Sequence, residues 1–452
     1  MINAERILLL ISSTLFLSYL SGIIYNRTRI PDLVWLLVFG IILGPVLRVF
    51  NAAIFISVFD LMILVTVALF AFSTGLSFNI QQILGHSTRA FNLALGSFFT
   101  VSISVGVALN YLLPNSFNLV SGILLGAMLG GIDGVSISSL VGSLGKESKG
   151  LGETGLFLQL ESTLADPIKV VGVLTLIKMV TLTGASPRTA ARDILFTLIT
   201  SILIGIGSGI TWGQVITRLR DRPLNYMMTI AALFPVYILS DFISGGGGGP
   251  ISVFLFGAVL MNYGYVTKSL KMNRRSRIDR RKIKEYHDEI TFLIKAMFFV
   301  YLGLMVQFEP SFIAISILLS VLIILVRYLT ASLIGVVQGF PTEQIVYSRF
   351  IFIQGAGSLV LTQFVAKYDP SGAYLANPSA FTSIVIPVVL LSIVFSSIIA
   401  PLMASKQVTV KPHEEPVETE PKKVEEAAEN NKKEKPNGNK DEEKSSPSPS
   451  TS

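Results

Sequence analysis

Two aspartates interrupt otherwise apolar stretches of this chain. Asp133 stands among Gly126, Gly130, Gly131, Gly134 and Gly142, and Asp166 closes the run Glu161-Ser162-Thr163-Leu164-Ala165-Asp166 ahead of Pro167. A charged side chain at the centre of a bilayer costs several kcal/mol unless it is paired or hydrated. Glycines loosen a membrane helix, so that backbone carbonyls and helix ends can face a cavity. A carboxylate in such a break suits a hard cation held by oxygen ligands, and two carboxylates in one cavity can also take up protons. Cation and proton then compete for one site, and competition joined to alternating access is all that an exchange requires. Two bland readings stay open: Asp133 as a local cap of the broken backbone, and Asp166 as an ion pair with Lys169 one turn on.

Glu161 and Asp166 are five residues apart, roughly 140° around a helix, so they point different ways. Arg327, inside a later apolar run, is the partner expected for Glu161, because Arg stays charged and suits a permanent structural pair; Arg349 is the second choice. Pro167 removes a backbone hydrogen bond and bends the helix near Asp166. Lys178 is expected to snorkel to the interface and Lys169 to tune Asp166. Gly245–Gly249 with Pro250 lacks the Lys-Ser/Thr of a phosphate loop and reads as a turn or hinge capped by Asp241. Asp60 reads as an interfacial or minor polar contact, and His86 and His287 as solvated loop residues.

The elements that carry these residues must be membrane helices. The chain is 51% hydrophobic and 14% charged, with a mean hydropathy of +0.64, too little polar surface for a soluble fold. Its apolar runs divide into about thirteen spans, each near the roughly 20 residues that a membrane helix needs. They cover residues 7–25, 32–48, 54–77, 90–113, 118–144, 154–181, 191–216, 225–243, 249–264, 288–307, 311–338, 343–366 and 378–404. No strand-like alternation suggests a barrel, so the fold class is an all-α polytopic membrane protein. Met1–Glu5 is not a basic leader, and the first run is expected to be a retained span. Without cysteine, disulfides and thiolate metal sites are excluded. Residues 1–404 form the transmembrane domain. Residues 405–452, rich in Lys, Glu, Pro, Asn and Ser, are expected to be a disordered tail.

Basic residues orient the spans. Arg27, Arg29, Arg89, Lys146, Lys149, Arg218, Arg220, Arg222 and the cluster from Lys268 to Lys284 fall on one side with the tail. Arg6, Arg48, Arg188, Arg192 and Lys367 fall on the other. Positive charge marks the cytoplasmic face, which puts the N-terminus outside and the C-terminus inside. The basic loop serves topology first; contact with anionic lipid is the alternative. A weak repeat accompanies this. Phe39-Gly40-Ile41-Ile42-Leu43 echoes Phe256-Gly257-Ala258-Val259-Leu260, and Gly75-Leu76 echoes Gly303-Leu304. The glycine break at Asp133 likewise echoes Gly355-Ala356-Gly357. Two halves, about 7–181 and 225–404, follow, and an odd number of spans between them makes the repeat inverted.

Leu43-Gly44-Pro45, Leu69-Phe70 with Gly75-Leu76, Asp133, Glu161-Ser162-x-x-x-Asp166, Arg327 and Gln354-Gly355-Ala356-Gly357-Ser358 form an ordered series over about residues 7–404. It resembles that of the NhaP-type sodium/proton antiporters of the monovalent cation:proton antiporter superfamily. The resemblance implies a thirteen-span antiporter fold with a dimerisation domain and a six-helix core, in which the fifth and twelfth spans cross and unwind at Gly131, Gly134, Gly355 and Gly357. It implies that Asp133 and Asp166 bind Na+ and carry the proton, that Ser162 and the Ile132 carbonyl add oxygens, and that Glu161 pairs with Arg327. It also implies a homodimer whose transport domain moves like an elevator, and one-for-one, electroneutral exchange. Where that family usually has Thr-Asp-Pro and Asn-Asp, this chain has Ile132-Asp133-Gly134 and Ala165-Asp166. A hydroxyl and a helix-linking amide are therefore missing, which bears on the choice among Na+, Li+ and K+. Rival readings are a potassium-efflux transporter or cation channel, and an organic-anion symporter, which paired carboxylates disfavour. No nucleophile–base pair suggests an enzyme. No nucleic acid is expected as a partner, and no cofactor beyond the transported Na+ and H+.

Overall fold

The computed structural model describes residues 4–28, 32–50, 59–78, 80–134, 136–137, 151–181, 187–219, 227–270, 280–306, 309–369, 371–375, 378–399 and 402. Contacts divide the chain into Met1–Val408 and Thr409–Ser452, and all described residues lie in the first unit. Gly142, Lys146 and Lys149, the Lys271–Arg277 part of the basic loop and the whole expected tail lie outside the described residues, as do the side chains of Asp60 and His86.

The described elements are helices: α1 (Ala4–Thr28), α2 (Asp32–Ile41), α3 (Phe59–Ser77), α4 (Ile80–Leu112), α5 (Leu119–Leu129), α6 (Leu151–Thr181), α7 (Pro187–Arg218) and α8 (Met227–Ile243). They continue with α9 (Gly249–Met261), α10 (Tyr263–Ser269), α11 (Arg280–Met305), α12 (Pro310–Val337), α13 (Thr342–Phe350), α14 (Ala356–Tyr368) and α15 (Pro378–Val394). Local chemistry sets their ends. Asn118 caps α5 by accepting from Ser121 N at 2.8 Å, and Pro310 opens α12 in the first turn, where its missing N–H costs nothing. Among the described residues, five helices are long and apolar enough to cross a membrane, within α1, α4, α7, α12 and α15. A sixth span arises if α9 and α10, bent by 83°, count as one. Shorter apolar helices add α2, α3, α5 and α8. The other expected spans fall on α6, which carries Glu161, Asp166, Lys169 and Lys178, on α11, whose first turns are charged, and on the interrupted pair α13–α14.

Two groups of helices pack around the site. α4 lies against α5, α6 and α12, and α12 against α13 and α15; α2 packs on α11, and α3 on α9 and α11. Gly40 and Gly303 bring α2 and α11 together backbone to backbone, and Gly257 and Gly75 do the same for α9 and α3. These are the glycines of the repeated motifs. Exchanging the second span with the ninth, and the third with the tenth, turns one contact into the other.

Candidate ion-binding site

The site forms where two helices break against each other. α5 stops at Leu129, and residues 130–133 are not helical; α13 stops at Phe350, and residues 351–355 lead without helix into α14. Broken ends leave backbone groups without intrahelical partners, and inside a membrane the protein itself must satisfy them. Each break serves the other. Asp133 N donates to Ile353 O at 2.9 Å. The Gln354 amide donates to the carbonyl of Leu129 at 2.9 Å and to that of Gly131, while its oxygen accepts from Ser358 Oγ at 2.6 Å. Ser392 of α15 and Ser396, in the turn of π-helix that follows it, accept from the N–H groups of Gln354 and Phe352 at 3.0 and 3.1 Å. Gln354 is the joint of the two breaks. Its position in the Gln-Gly-Ala-Gly-Ser run was visible in sequence, but its partners, over 220 residues away, were not.

Asp133 is 2% exposed. Its Oδ2 accepts from Ser136 N at 2.9 Å, so the local-cap contact exists, and its carboxylate also lies against Gly355. Any side chain at 355 would overlap that carboxylate, which is why glycine is required there. Gly355 precedes the first turn of α14, so the positive end of that helix faces the carboxylate. Asp166 projects from α6, with Oδ1 3.0 Å from Lys169 Nζ and 3.6 Å from where a Cβ on Gly357 would stand. Ser162 Oγ donates to Gln159 O at 2.8 Å and lies 3.3 Å from the corresponding point on Gly134. Ile132 is fully buried in the break, and Gly131 backs onto Ala165 and the Lys169 stem.

Asp133, Gly134, Ser162 and Asp166 line one cavity of about 630 Å³. It extends past Phe70 and Thr74 to Asp32, Ser77, Lys284 and Asp288, near the ends of α2, α3 and α11. A second cavity of about 360 Å³ lies at the other end of α6, among Leu174, Lys178, Asp193, Ser244, Gly245–Gly247 and Tyr368. The α6 backbone between Asp166 and Leu174, about 12 Å of helix, separates them. Buried Lys169, Val170 and Val173 fill that barrier.

Glu161 points away from the cavity into a hub. Arg327, fully buried, grips it through both guanidinium nitrogens, with Nη2 to Oε2 at 2.9 Å. The same guanidinium donates to Ser97 Oγ at 2.7 Å and Ser348 O at 2.8 Å. One side chain thus ties α4, α6, α12 and α13 together. Arg349 has other partners: it donates to Ser332 Oγ at 2.7 Å and stacks on Tyr328.

Three further residues differ from, or add to, the expectations. Lys178 does not simply snorkel; it donates to Thr197 Oγ1 and, at 3.1 Å, to Ser244 O. His287 is not in a loop but buried within α11, with Nε2 3.0 Å from Thr291 Oγ1 and its ring edge against Phe72. Asp241 does cap the glycine turn, accepting from Gly247 N at 2.7 Å, and Gly245, Gly246 and Gly247 there have positive φ, which glycine tolerates. Asp241 also pairs with Lys367 of α14 at 3.6 Å.

A family model for transmembrane sodium/hydrogen exchangers matches residues 12–405. The chain belongs to the sodium/hydrogen exchanger family. This exchanger-family chain is 28% identical over 206 residues to the low-affinity Na+/H+ antiporter NhaS1 of Synechocystis sp. That match covers 44% of this chain and 36% of the relative. It is 24% identical over 311 residues to the K+/H+ antiporter NhaP of Alkalimonas amylolytica, covering 67% and 49% of the two chains. The match therefore spans between a third and a half of these relatives' lengths. Among solved structures it is similar to the sodium proton antiporter MjNhaP1 from Methanocaldococcus jannaschii at pH 8. The TM-score is 0.72 at 18% identity, over 88% of this chain and 97% of that one. The exchanger-family fold is thus an all-helical, multi-pass membrane fold.

Proposed function

We propose that this chain is a secondary antiporter that exchanges a monovalent cation, Na+ first, for H+ by alternating access. The observation that carries the reading is geometric. Two buried carboxylates, Asp133 and Asp166, line a single cavity at the meeting point of two broken helices, and a barrier of packed side chains closes the other side. An ion entering the cavity can meet both carboxylates together with the Ser162 hydroxyl, an all-oxygen set suited to a hard cation; Ile132 is not among the residues that line it. Protonation of the same carboxylates competes with it. The wide cavity abuts the ends of α2, α3 and α11, on the side where the sequence gathers its positive charge. By that rule the conformation faces the cytoplasm, with the N-terminus outside and the C-terminal tail inside.

In the complementary state the outer cavity would reach the aspartates and the inner one would close. Asp241–Lys367 and Lys178–Ser244 then serve as the outer closure, since they tie the α8–α9 turn to α14 and α6. The reading includes a homodimer in lipid, with residues 1–404 as the transport unit made of two inverted repeats. K+ is the second reading, favoured by the Alkalimonas relative and by Ile132 and Ala165, which leave fewer polar ligands beside the aspartates.

The test is proton flux in proteoliposomes as Na+, Li+ and K+ are added in turn between about pH 6 and 9, a window around neutral pH, to which functional-site groups are commonly tuned. Cation-evoked proton movement is expected, and the ion with the lowest half-saturating concentration names the substrate. No such movement with any of the three sinks the proposal.

A further inference from the structure

We infer that Lys169 is the fixed counter-charge of the transport site, the group that limits it to one monovalent charge per cycle. The inference rests on the exchange reading and adds what sets its stoichiometry. Five ionisable groups are buried around the breaks: Asp133, Glu161, Asp166, Lys169 and Arg327. Glu161 and Arg327 cancel each other in a two-point bond that faces the helix hub. Two carboxylates and one ammonium remain. Lys169 is 1% exposed, and among the described residues its ion pair is with Asp166, one turn below it on α6. It is not part of the cavity wall that Asp133 and Asp166 share. Its stem lies under Gly131 of the other break. The ammonium therefore sits beneath the site, in the barrier, where an ion arriving through the cavity need not displace it.

The charge sum follows. With Lys169 protonated, the empty site carries one net negative charge. One bound cation makes it neutral, and so does one bound proton. Both loaded forms can cross a low-dielectric barrier, whereas the empty form keeps a bare charge there and is held back. One cation then leaves for each proton that enters, and no net charge crosses the membrane. Without Lys169 the empty site carries two negative charges. A single cation leaves one of them unmatched, so at alkaline pH the return step needs two protons and each cycle moves charge. The other ionisable groups on the cavity, Asp32, Lys284, Asp288 and Lys295, belong to α2 and α11 and none of them is buried: Lys284 and Asp288 are exposed, and Asp32 and Lys295 half-buried.

The experiment compares the wild type with Lys169→Met and Lys169→Arg, reconstituted on solid-supported membranes at about pH 8.5, where an unpaired carboxyl is ionised. Cation jumps are read both as current and as proton flux. The wild type and Lys169→Arg should show proton flux without net charge transfer, and Lys169→Met should show current in step with flux. A second readout covers a methionine variant too slow to assay: thermal stabilisation of the purified protein by Na+. Removing a unit positive charge at ion-pair distance from Asp166 should lower the half-stabilising Na+ concentration about tenfold or more. Wild-type exchange that itself moves charge overturns the proposal. So does a Lys169→Met variant with silent exchange, or one with unchanged or weaker Na+ stabilisation. A purely structural lysine would lower the melting temperature and leave charge coupling and Na+ response unmoved. Absence of any cation-evoked proton flux in the wild type would instead strike the exchange reading itself.

Discussion

At the scale of single residues, the buried charges divide into those facing the cavity and those facing the protein, and substitution should separate them. Asp133→Asn and Asp166→Asn each keep size and polarity but remove a charge from the cavity. Each is expected to reduce cation-evoked proton flux to the level of empty liposomes while the protein still purifies as a folded species. Normal exchange by Asp166→Asn would mean that the ion binds elsewhere. Arg327→Ala acts differently. It leaves Glu161 buried without its partner and cuts the bonds to Ser97 and Ser348, a loss of about 3–5 kcal/mol for a broken buried pair. A lower unfolding temperature is the expected result, partly restored by Glu161→Gln in the same chain. These four charges were legible in the sequence because an ionised group in an apolar run is costly enough to need a reason. Gln354 was not. An amide costs far less to bury, and its worth depends on carbonyls of Leu129 and Gly131 that only the tertiary fold brings near.

At the scale of elements, the decisive feature is that two interrupted helices satisfy each other. Gln354→Leu should remove both amide bonds and leave two carbonyls unpaired, at about 1–3 kcal/mol for each. Gln354→Glu should be worse, because it turns a carboxylate toward those carbonyls. Unfolding temperature and transport rate in the two variants check the order. The glycine density around 130–134 announced one break from sequence, and Gly355 and Gly357 the other, since these are positions where a helix is weak. α11 begins before the expected span 288–307, at Arg280, for a related reason. The basic cluster before it suggested a loop through His287, yet an Arg281–Glu285 pair one turn apart at 2.6 Å and the contacts of His287 continue the helix to Arg280. The outer closure gives a further expectation. The chain has no cysteine, so Asp241→Cys with Lys367→Cys can be bridged by a short bis-thiosulfonate reagent. Bridging should stop exchange and reduction should restore it; exchange that continues through the bridged state would mean that this pair need not part.

At the scale of the whole molecule, hydropathy was sufficient to read the helices, because the bilayer imposes them, and charge supplies an expected sidedness. The number of spans was harder to read, since α6, α11 and α13–α14 carry charges or breaks that depart from a plain apolar run. Orientation has a direct check. Single cysteines placed before α1 and after α15 should be labelled by a membrane-impermeant maleimide from outside at the N-terminal position and only after permeabilisation at the C-terminal one. The reverse pattern would turn the cavity toward the other compartment and with it the direction of the state described.

The thin barrier between the two cavities also has an electrical meaning. If each cavity carries the potential of its own compartment, the membrane voltage falls across about 12 Å of α6 instead of the roughly 30 Å of a bilayer core. A unit charge crossing that stretch gains or loses about 2.3 kcal/mol per 100 mV. With the charge count proposed for Lys169, neutral loaded forms would not sense this field, but the empty site would. A cell interior that is negative would therefore not drive exchange; it would decide on which side the idle carrier waits, drawing the unloaded site toward the outer face.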